Sequence, residues 1–286
     1  MDLDFPKLKN KFRWQTGIII AGGFILVAEI ILLAIFLIVY LAGVNAPKQA
    51  DEKNDPHKIT VPQLSTVKMS PFEAEDFVYD GEYMTCLSKP AELGVDVSYY
   101  QGDIDWKQVK EAGFTFAIIR VGGRGYGDEG GLYEDTLAQQ NYEGAKAAGL
   151  KVGAYFFSQA ITELEAREEA WYALELTSGW DMDLPLVYDW EYISDDARTG
   201  GMDEADKARV TTAFFEVLES VGVTPMAYVM PWAGEDYMRA VQDYPVWVVQ
   251  YTDPMNFPYY FNYWQYTCKG SVPGIEGNVD INLYIQ

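Results

Sequence analysis

Residues 184–192 read Leu-Pro-Leu-Val-Tyr-Asp-Trp-Glu-Tyr and follow a turn-rich Asp-Met-Asp segment. β-Branched and aromatic residues after a proline are typical of a strand. Because side chains alternate along a strand, Asp189 and Glu191 lie on one face and the aromatic residues on the other. Like-charge proximity raises the pKa of one carboxyl group, which favours a general acid that stays protonated near neutral pH. From these residues alone, a pair that caps the next loop or holds a cation is an equal alternative.

Strands and helices alternate on both sides of this stretch. Strands are predicted at residues 93–100, 114–121, 151–158, 184–192, 225–230, 246–251, 261–267 and 279–285. Helices are predicted at residues 105–112, 133–148, 161–177, 203–221 and 235–241. Eight strands with intervening helices predict a parallel, TIM-like β/α barrel rather than an open sheet, with short or non-helical connections near its end.

The N-terminal region contains a long apolar run at residues 17–41, interrupted only by Glu29. About 20 such residues span the hydrocarbon core of a bilayer. Four basic residues precede the run: Lys7, Lys9, Lys11 and Arg13. The positive-inside rule therefore predicts a transmembrane helix with residues 1–16 as a cytoplasmic tail. A cleaved signal peptide is the alternative, although its apolar region is usually only about 7–15 residues long.

Residues 42–90 are polar and contain five prolines, which predicts an extracellular linker. Residues 91–286 then form the predicted barrel domain. The resulting expectation is a single-pass protein of the cell membrane, with its N-terminus in the cytoplasm and its barrel outside the cell.

Charge and residue counts exclude several function classes. The chain has a net charge of −22, and from residue 91 onward 12 Lys and Arg face 32 Asp and Glu. Such a surface repels phosphate backbones, so nucleic acid is not an expected partner. The only histidine is His57, in the predicted linker, which argues against His-dependent nucleophiles and His-rich metal centres. No CxxC motif is present, so neither a metal nor a cofactor is predicted.

The two cysteines, Cys86 and Cys268, stand just before the first predicted strand and just after the seventh. Because the ends of a closed barrel sheet are neighbours, a disulfide between them is predicted for an extracellular domain. Two free thiols are the alternative.

Functional side chains in such barrels stand at the C-terminal ends of the strands. The candidates at those positions are Asp96, Arg120, Tyr155, Asp189, Glu191, Tyr228, Trp264, Gln265 and Asp280. Carboxylates among Tyr and Trp side chains indicate a carbohydrate substrate, because glycosidic cleavage needs a protonated acid and a second carboxylate. Taken singly, Asp96 and Asp280 are equally strand-end caps, and Trp264 is more often a core residue. The prediction therefore rests on their convergence at one end of the barrel.

Five motifs in order resemble the lysozymes of glycoside hydrolase family 25. They are Leu-Gly-Val-Asp-Val-Ser-Tyr-Tyr-Gln-Gly at 93–102, Phe-Ala-Ile-Ile-Arg-Val-Gly at 116–122, Ala-Gly-Leu-Lys-Val-Gly-Ala-Tyr-Phe-Phe-Ser at 148–158, Asp-Trp-Glu at 189–191, and Trp-Gln-Tyr at 264–266 with Gly-Asn-Val-Asp-Ile-Asn at 277–282. The resemblance covers residues 93–284 and implies an irregular, flattened β/α barrel.

The resemblance also implies an activity and roles for individual residues. The activity is cleavage of the β-1,4 bond between N-acetylmuramic acid and N-acetylglucosamine in peptidoglycan. Glu191 resembles the general acid, and Asp189 resembles the carboxylate that supports the reacting sugar by orienting its 2-acetamido group. Asp96 and Asp280 resemble the remaining aspartates of the active site. Many members have a histidine where this chain has Phe156, so a subsite contact is expected to differ.

The sequence therefore predicts a membrane-anchored extracellular muramidase whose partner is the glycan strand of peptidoglycan. A barrel that binds peptidoglycan without cleaving it is the first alternative, and a chitinase-like hydrolase of another N-acetylated glycan is the second. The presence of all four acids favours an enzyme over a binding module.

Overall fold

The structure, a computed structural model, describes residues 66–252 and 254–286. The strands of this part of the chain are β1 Phe77–Asp80, β2 Tyr83–Cys86, β3 Ala91–Val97, β4 Phe116–Arg124, β5 Leu132–Glu134, β6 Lys151–Ser158, β7 Leu186–Trp190, β8 Pro225–Val229, β9 Val246–Val249, β10 Tyr263–Gly270 and β11 Val279–Ile285. Its α-helices are α1 Trp106–Glu111, α2 Ala138–Ala147, α3 Glu163–Leu176, α4 Glu204–Ser220 and α5 Glu235–Val241.

Eight of these strands close into a barrel. Their order is β3-β4-β6-β7-β8-β9-β10-β11, and β11 returns to pair with β3. The seven strands from β3 to β10 run parallel to their neighbours, whereas β11 is antiparallel to both β10 and β3. The predicted α/β barrel is confirmed, but the expectation that all its strands run parallel is wrong at the last strand.

The reversal of β11 has a direct consequence for the predicted site. Asp280 is the second residue of β11, and the antiparallel register places it opposite Asp96 at the C-terminal end of β3. A parallel strand would have carried Asp280 to the other end of the barrel. The short connection after β10 is what permits the reversal, since antiparallel neighbours need no helical crossover.

Local sequence signals determine the helix ends. The side chains of Asp105, Thr162 and Asp203 accept hydrogen bonds from backbone N–H groups in the first turns of α1, α3 and α4. Gly149 follows α2 at φ +77°, a left-handed conformation that glycine adopts without a Cβ penalty. One boundary differs from the prediction: α2 begins at Ala138, because residues 132–134 form β5 along the end of β4.

The barrel separates two hydrophobic cores. Side chains on the inner face fill the barrel below its mouth; they are Phe116, Ile118, Val187, Met226, Tyr228, Trp247, Val249 and Tyr263. The opposite faces of the strands pack against the surrounding helices in a larger core. Gly94 belongs to β3 beside Phe116, and a Cβ at this position would collide with the Phe116 ring. The glycine of the first motif is thus required by packing inside the barrel.

The described part of the predicted linker contains regular structure. Strands β1 and β2 form an antiparallel hairpin, and the Phe77 ring packs edge-on against Trp264 with 4.9 Å between ring centroids. The Tyr266 hydroxyl also accepts a hydrogen bond from the Met84 N–H at 3.3 Å. The hairpin therefore covers the outer face of β10.

The predicted cytoplasmic tail, transmembrane helix and first part of the linker lie outside the described residues. Across residues 66–252 and 254–286, no helix is both long enough and apolar enough to cross a bilayer.

Candidate active site

Four carboxyl groups meet at one end of the barrel. Asp96 is the penultimate residue of β3, Asp189 and Glu191 lie at and just after the end of β7, and Asp280 is the second residue of the reversed β11. The three aspartates belong to inward-facing positions, because each lies within charge-interaction range of the others. The structure thus brings together all four acids that the sequence predicted as catalytic.

Asp96 is held in place by hydrogen bonds from two neighbouring amide side chains. Its Oδ2 accepts hydrogen bonds from Gln265 Nε2 and from Asn282 Nδ2, both at 2.8 Å. Burial raises the pKa of Asp96 to about 6, while these amide donors and a hydrogen bond from Asp280 act in the opposite direction. Asn282 is itself oriented by the Trp247 indole, whose Nε1 donates to Asn282 Oδ1 at 2.8 Å.

Asp280 is the protonated partner of Asp96. Burial, followed by the charges of Asp96 and Glu191, raises the pKa of Asp280 to about 8. The hydrogen bond between the two side chains raises the pKa of Asp280 and lowers that of Asp96, as expected when Asp280 donates and Asp96 accepts. The pair therefore holds one proton near neutral pH.

Asp189 and Glu191 form a second carboxyl pair with fewer protein partners. Burial, then the charges of Glu191 and Asp96, raises the pKa of Asp189 well above its ordinary value, and the Arg120 cation opposes this. Burial and the Asp96 charge likewise raise the pKa of Glu191, against a hydrogen bond from Asp189. Among the described residues, Asp189 Oδ1 is buried without a hydrogen-bond partner. The two carboxyl groups therefore share a proton, and Asp189 Oδ1 can still accept a hydrogen bond.

Gln159 fixes the backbone at Glu191. Its Nε2 donates to the Glu191 carbonyl oxygen and to the Ser158 carbonyl oxygen, each at 2.9 Å. Thr199 Oγ1 in turn donates to Gln159 Oε1 at 3.0 Å. Gln159 is fully buried, so these contacts hold the end of β7 in one position.

Arg120 lies beside the acids but is bound to a different carboxylate. Its Nε donates to Asp135 Oδ2 at 2.8 Å, and Asp135 also accepts from the Tyr99 N–H at 3.0 Å. The guanidinium lies 4.9 Å from the Tyr99 ring centroid and 5.2 Å from that of Tyr100. Among the described residues Arg120 Nη2 is buried without a partner. Arg120 therefore holds the tyrosine pair at the rim and contributes positive charge near Asp189.

Three tyrosines line the space around the acids. Tyr228 and Tyr251 both donate their hydroxyl groups to Gln265 Oε1, at 2.8 and 2.7 Å. Burial, then the charge of Asp96, raises the pKa of the Tyr155 phenol well above its ordinary value, so this phenol stays protonated. The fold thus brings Tyr155, Tyr228 and Gln265, three of the predicted substrate-binding residues, close to the acids.

The comparison with known proteins agrees with this geometry. Residues 95–275 match the family model described as glycosyl hydrolases family 25. The chain belongs to this family. It is 30% identical over 211 residues to lysozyme M1 of Streptomyces globisporus, covering 67% of either chain. It is 28% identical over 195 residues to the autolytic lysozyme of Clostridium acetobutylicum, covering 68% of this chain but only 56% of that protein.

The fold is that of a solved family 25 glycosyl hydrolase from Bacillus anthracis. The two superpose with a TM-score of 0.59 at 23% identity, covering 72% of this chain and 94% of that one. The irregular family 25 barrel predicted from the five motifs is thereby confirmed.

Two residues that were assigned to the family 25 cleft lie elsewhere. Trp264 is only 3% exposed and packs on Phe77 outside the barrel, while its Nε1 donates to the Gln250 carbonyl oxygen at 2.9 Å. Its assignment as a substrate-binding residue is wrong, because alternation along β10 turns Gln265 inward and its neighbour outward. Phe156 is buried against Tyr172 of α3, so the expected change in a subsite contact is also wrong.

The predicted disulfide is not formed, since Cys86 and Cys268 are both free. Cys86 is the last residue of β2 and is buried on the inner side of the hairpin, with its Sγ 3.5 Å from Ser88 Oγ. Register shifts interrupt the pairing of β10 with β11 on both sides of Thr267. Cys268 then lies within charge-interaction range of Tyr251 at the barrel mouth, rather than under the hairpin.

Several residues that contact or support the acids were not among the predicted site residues. Asp135 and Gln159 lie in loops, and their partners are distant in sequence. Asn282 and Tyr251 were visible as strand-end or motif residues, yet only the closed barrel shows that both reach Asp96, directly or through Gln265. Within residues 66–252 and 254–286, no group of three His, Cys, Asp or Glu side chains is placed to hold a metal ion.

Proposed function

We propose that this protein is a muramidase that hydrolyses the β-1,4 bond between N-acetylmuramic acid and N-acetylglucosamine in peptidoglycan. The observation that carries the proposal is the Asp189–Glu191 pair, two carboxyl groups with raised pKa values in mutual contact at the barrel mouth. Family 25 membership and the similarity to two lysozymes support the substrate.

In this proposal Glu191 is the general acid. In the free pair Asp189 donates the shared proton to Glu191; when the acetamido group takes Asp189 as its acceptor, the proton passes to Glu191, which delivers it to the leaving glycosidic oxygen. Burial is the main reason for its raised pKa. Gln159 holds the Glu191 backbone, so the acid is presented from a fixed point. When the leaving sugar has departed, the Glu191 carboxylate accepts a proton from the attacking water.

Asp189 supports the sugar rather than attacking it. Two carboxyl groups that flank a glycosidic bond stand roughly 5 Å or more apart in the usual two-carboxylate schemes. Asp189 and Glu191 instead share a hydrogen bond, so they approach the bond from the same side. The 2-acetamido oxygen of the substrate then attacks the anomeric carbon, and Asp189 Oδ1 accepts the acetamido N–H as positive charge develops.

We also propose that the chain is anchored in the cell membrane with its barrel outside. The apolar run of residues 17–41 and the four basic residues before it support this topology. Protease added to protoplasts should remove the barrel and leave a small protected N-terminal fragment. A mature chain that begins near residue 46 would instead indicate a secreted protein.

The activity is tested by incubating the soluble domain with purified peptidoglycan. Mass spectrometry of the supernatant should show fragments with N-acetylmuramic acid at the new reducing end. Fragments that end in N-acetylglucosamine would contradict the proposed bond. Binding without any release would favour the non-catalytic alternative.

A further inference from the structure

A second pocket borders the four acids on the far side of β7 from Arg120. It is lined by Trp190, Glu204, Lys207, Tyr228, Met230, Trp232, Ala233 and Tyr237. Tyr228 is common to both places, since its phenol lies within charge-interaction range of Glu191 and Asp189. A sugar bound at the acids therefore has its substituents within reach of this pocket, which we call the Trp232 pocket.

The Trp232 pocket contains a lysine without an ion-pair partner among the described residues. Lys207 Nζ lies 4.4 Å from the centroid of the Trp190 ring, and within the described residues it forms no ion pair. This is unusual in a domain where acids outnumber bases by 32 to 12 from residue 91 onward. Glu204 lines the same pocket, but its Oε1 accepts the Gly234 N–H at 2.6 Å, and no ion pair joins it to Lys207 among the described residues.

Trp190 supplies a buried donor in the wall of the same pocket. Its side chain is 5% exposed, and its Nε1 is buried without a hydrogen-bond partner in the described part of the chain. Buried indole N–H groups usually have a partner, so an unpartnered one on a residue that lines the pocket marks a place where a ligand could supply the missing acceptor. Trp232, which also lines the pocket, is 62% exposed and offers an apolar face.

We propose that the Trp232 pocket binds the acidic lactyl-peptide arm of the muramic acid residue, with a carboxylate of that arm on Lys207. This rests on the proposed muramidase function and specifies which part of the substrate is recognised. A carboxylate matches the unpaired ammonium, and an arm carried by the reacting sugar starts beside Tyr228. Amide groups of the arm offer acceptors for the Trp190 N–H and an apolar surface for Trp232.

The test compares native peptidoglycan with peptidoglycan whose carboxyl groups have been converted to methylamides. On the native substrate, Lys207→Met should raise KM roughly threefold to tenfold, as expected for one lost charge-assisted contact, with kcat little changed. On the amidated substrate, wild type and Lys207→Met should have the same KM. Lys207→Arg should behave as wild type on both. Trp232→Ala should raise KM on both substrates.

Lys107→Met is the matched control, because Lys107 is an exposed lysine of α1 whose nearest carboxylate is Glu111 on the same helix. Equal KM values for wild type and Lys207→Met on native peptidoglycan would overturn the proposal. If wild type cleaves neither substrate, the muramidase function fails separately. Binding of soluble muramyl dipeptide, followed by tryptophan fluorescence, then decides: equal affinity for wild type and Lys207→Met rejects the pocket, and weaker binding by the variant retains it.

Discussion

The two carboxyl pairs at the barrel mouth are chemically similar but differently supported. Asp96 accepts two amide hydrogen bonds from the protein and shares a proton with Asp280. Asp189 has a buried oxygen without a hydrogen-bond partner in the described part of the chain, and Glu191 is fixed mainly through its backbone. A carboxyl group whose hydrogen bonds are already made to the protein can adjust the electrostatic potential of a site. A carboxyl group with an unused acceptor oxygen can also bind a substrate and react with it. This difference is the reason why we propose Asp189 and Glu191, rather than Asp96 and Asp280, as the reacting pair.

The strongest test of this difference between the two pairs is Glu191→Gln, which keeps the shape of the side chain and removes the proton donor. We expect kcat on peptidoglycan to fall about 10²–10⁴-fold, the usual contribution of general acid catalysis. Glycan binding should persist. Glu175→Gln, on the exposed face of α3, is the control and should leave kcat unchanged. Near-wild-type turnover by Glu191→Gln would remove Glu191 from the mechanism.

Asp189→Asn should have the next largest effect, roughly 10²–10³-fold on kcat, because it removes charge stabilisation of the reacting sugar. A substrate with an activated leaving group needs no general acid. It should therefore restore much of the rate to Glu191→Gln but little to Asp189→Asn. Measuring both variants on both substrates separates the two roles. Equal rescue of the two variants would show that the pair acts as one proton donor.

The four acids also show which parts of the site can be predicted from the sequence and which cannot. Asp189 and Glu191 could be placed on one face by strand alternation alone, and the structure agrees. Asp280 could not be placed that way, because the rule that sites stand at strand C-termini assumes parallel strands, and Asp280 is the second residue of an antiparallel one. The prediction for Trp264 failed for a different reason, because strand alternation was not applied to it. Neighbouring residues such as Trp264 and Gln265 cannot both face the inside of the barrel. Loop residues such as Asp135 and Gln159 depend on contacts far apart in sequence, which no local pattern encodes.

Substitution in the Asp96–Asp280 pair should change the stability of the fold more than the rate of the reaction. The folded-state pKa of Asp280, about 8, exceeds its ordinary value of 3.8, so its stabilising contribution is complete below pH 3.8 and is lost as pH rises to about 8. Asp280→Asn remains neutral and can still donate to Asp96. We therefore expect the variant to be more stable than wild type at pH 8, by at least about 1 kcal/mol, with the gain vanishing towards pH 4.

Thermal unfolding of wild type and Asp280→Asn across pH 4–9 measures this gain. Asp243→Asn is the control, because Asp243 is exposed and forms a surface ion pair with Lys68. A stability difference that does not grow with pH would mean that Asp280 is not the group that holds the shared proton.

The smallest expected effect concerns the hydroxyl groups that hold Gln265, since they reach Asp96 only through this amide. Gln265 Oε1 accepts from both Tyr228 and Tyr251, which leaves Nε2 directed at Asp96. Either Tyr228→Phe or Tyr251→Phe should cost about 0.5–1.5 kcal/mol, a few-fold in kcat, because the other hydroxyl still fixes the amide. The double variant should lose more activity than the sum of the two single losses, since Gln265 is then free to turn its oxygen towards Asp96.

Tyr126→Phe, at an exposed tyrosine, is the control. A strictly additive double variant would show that Gln265 keeps its orientation without the two phenols, and that the support of Asp96 rests on Asn282 instead.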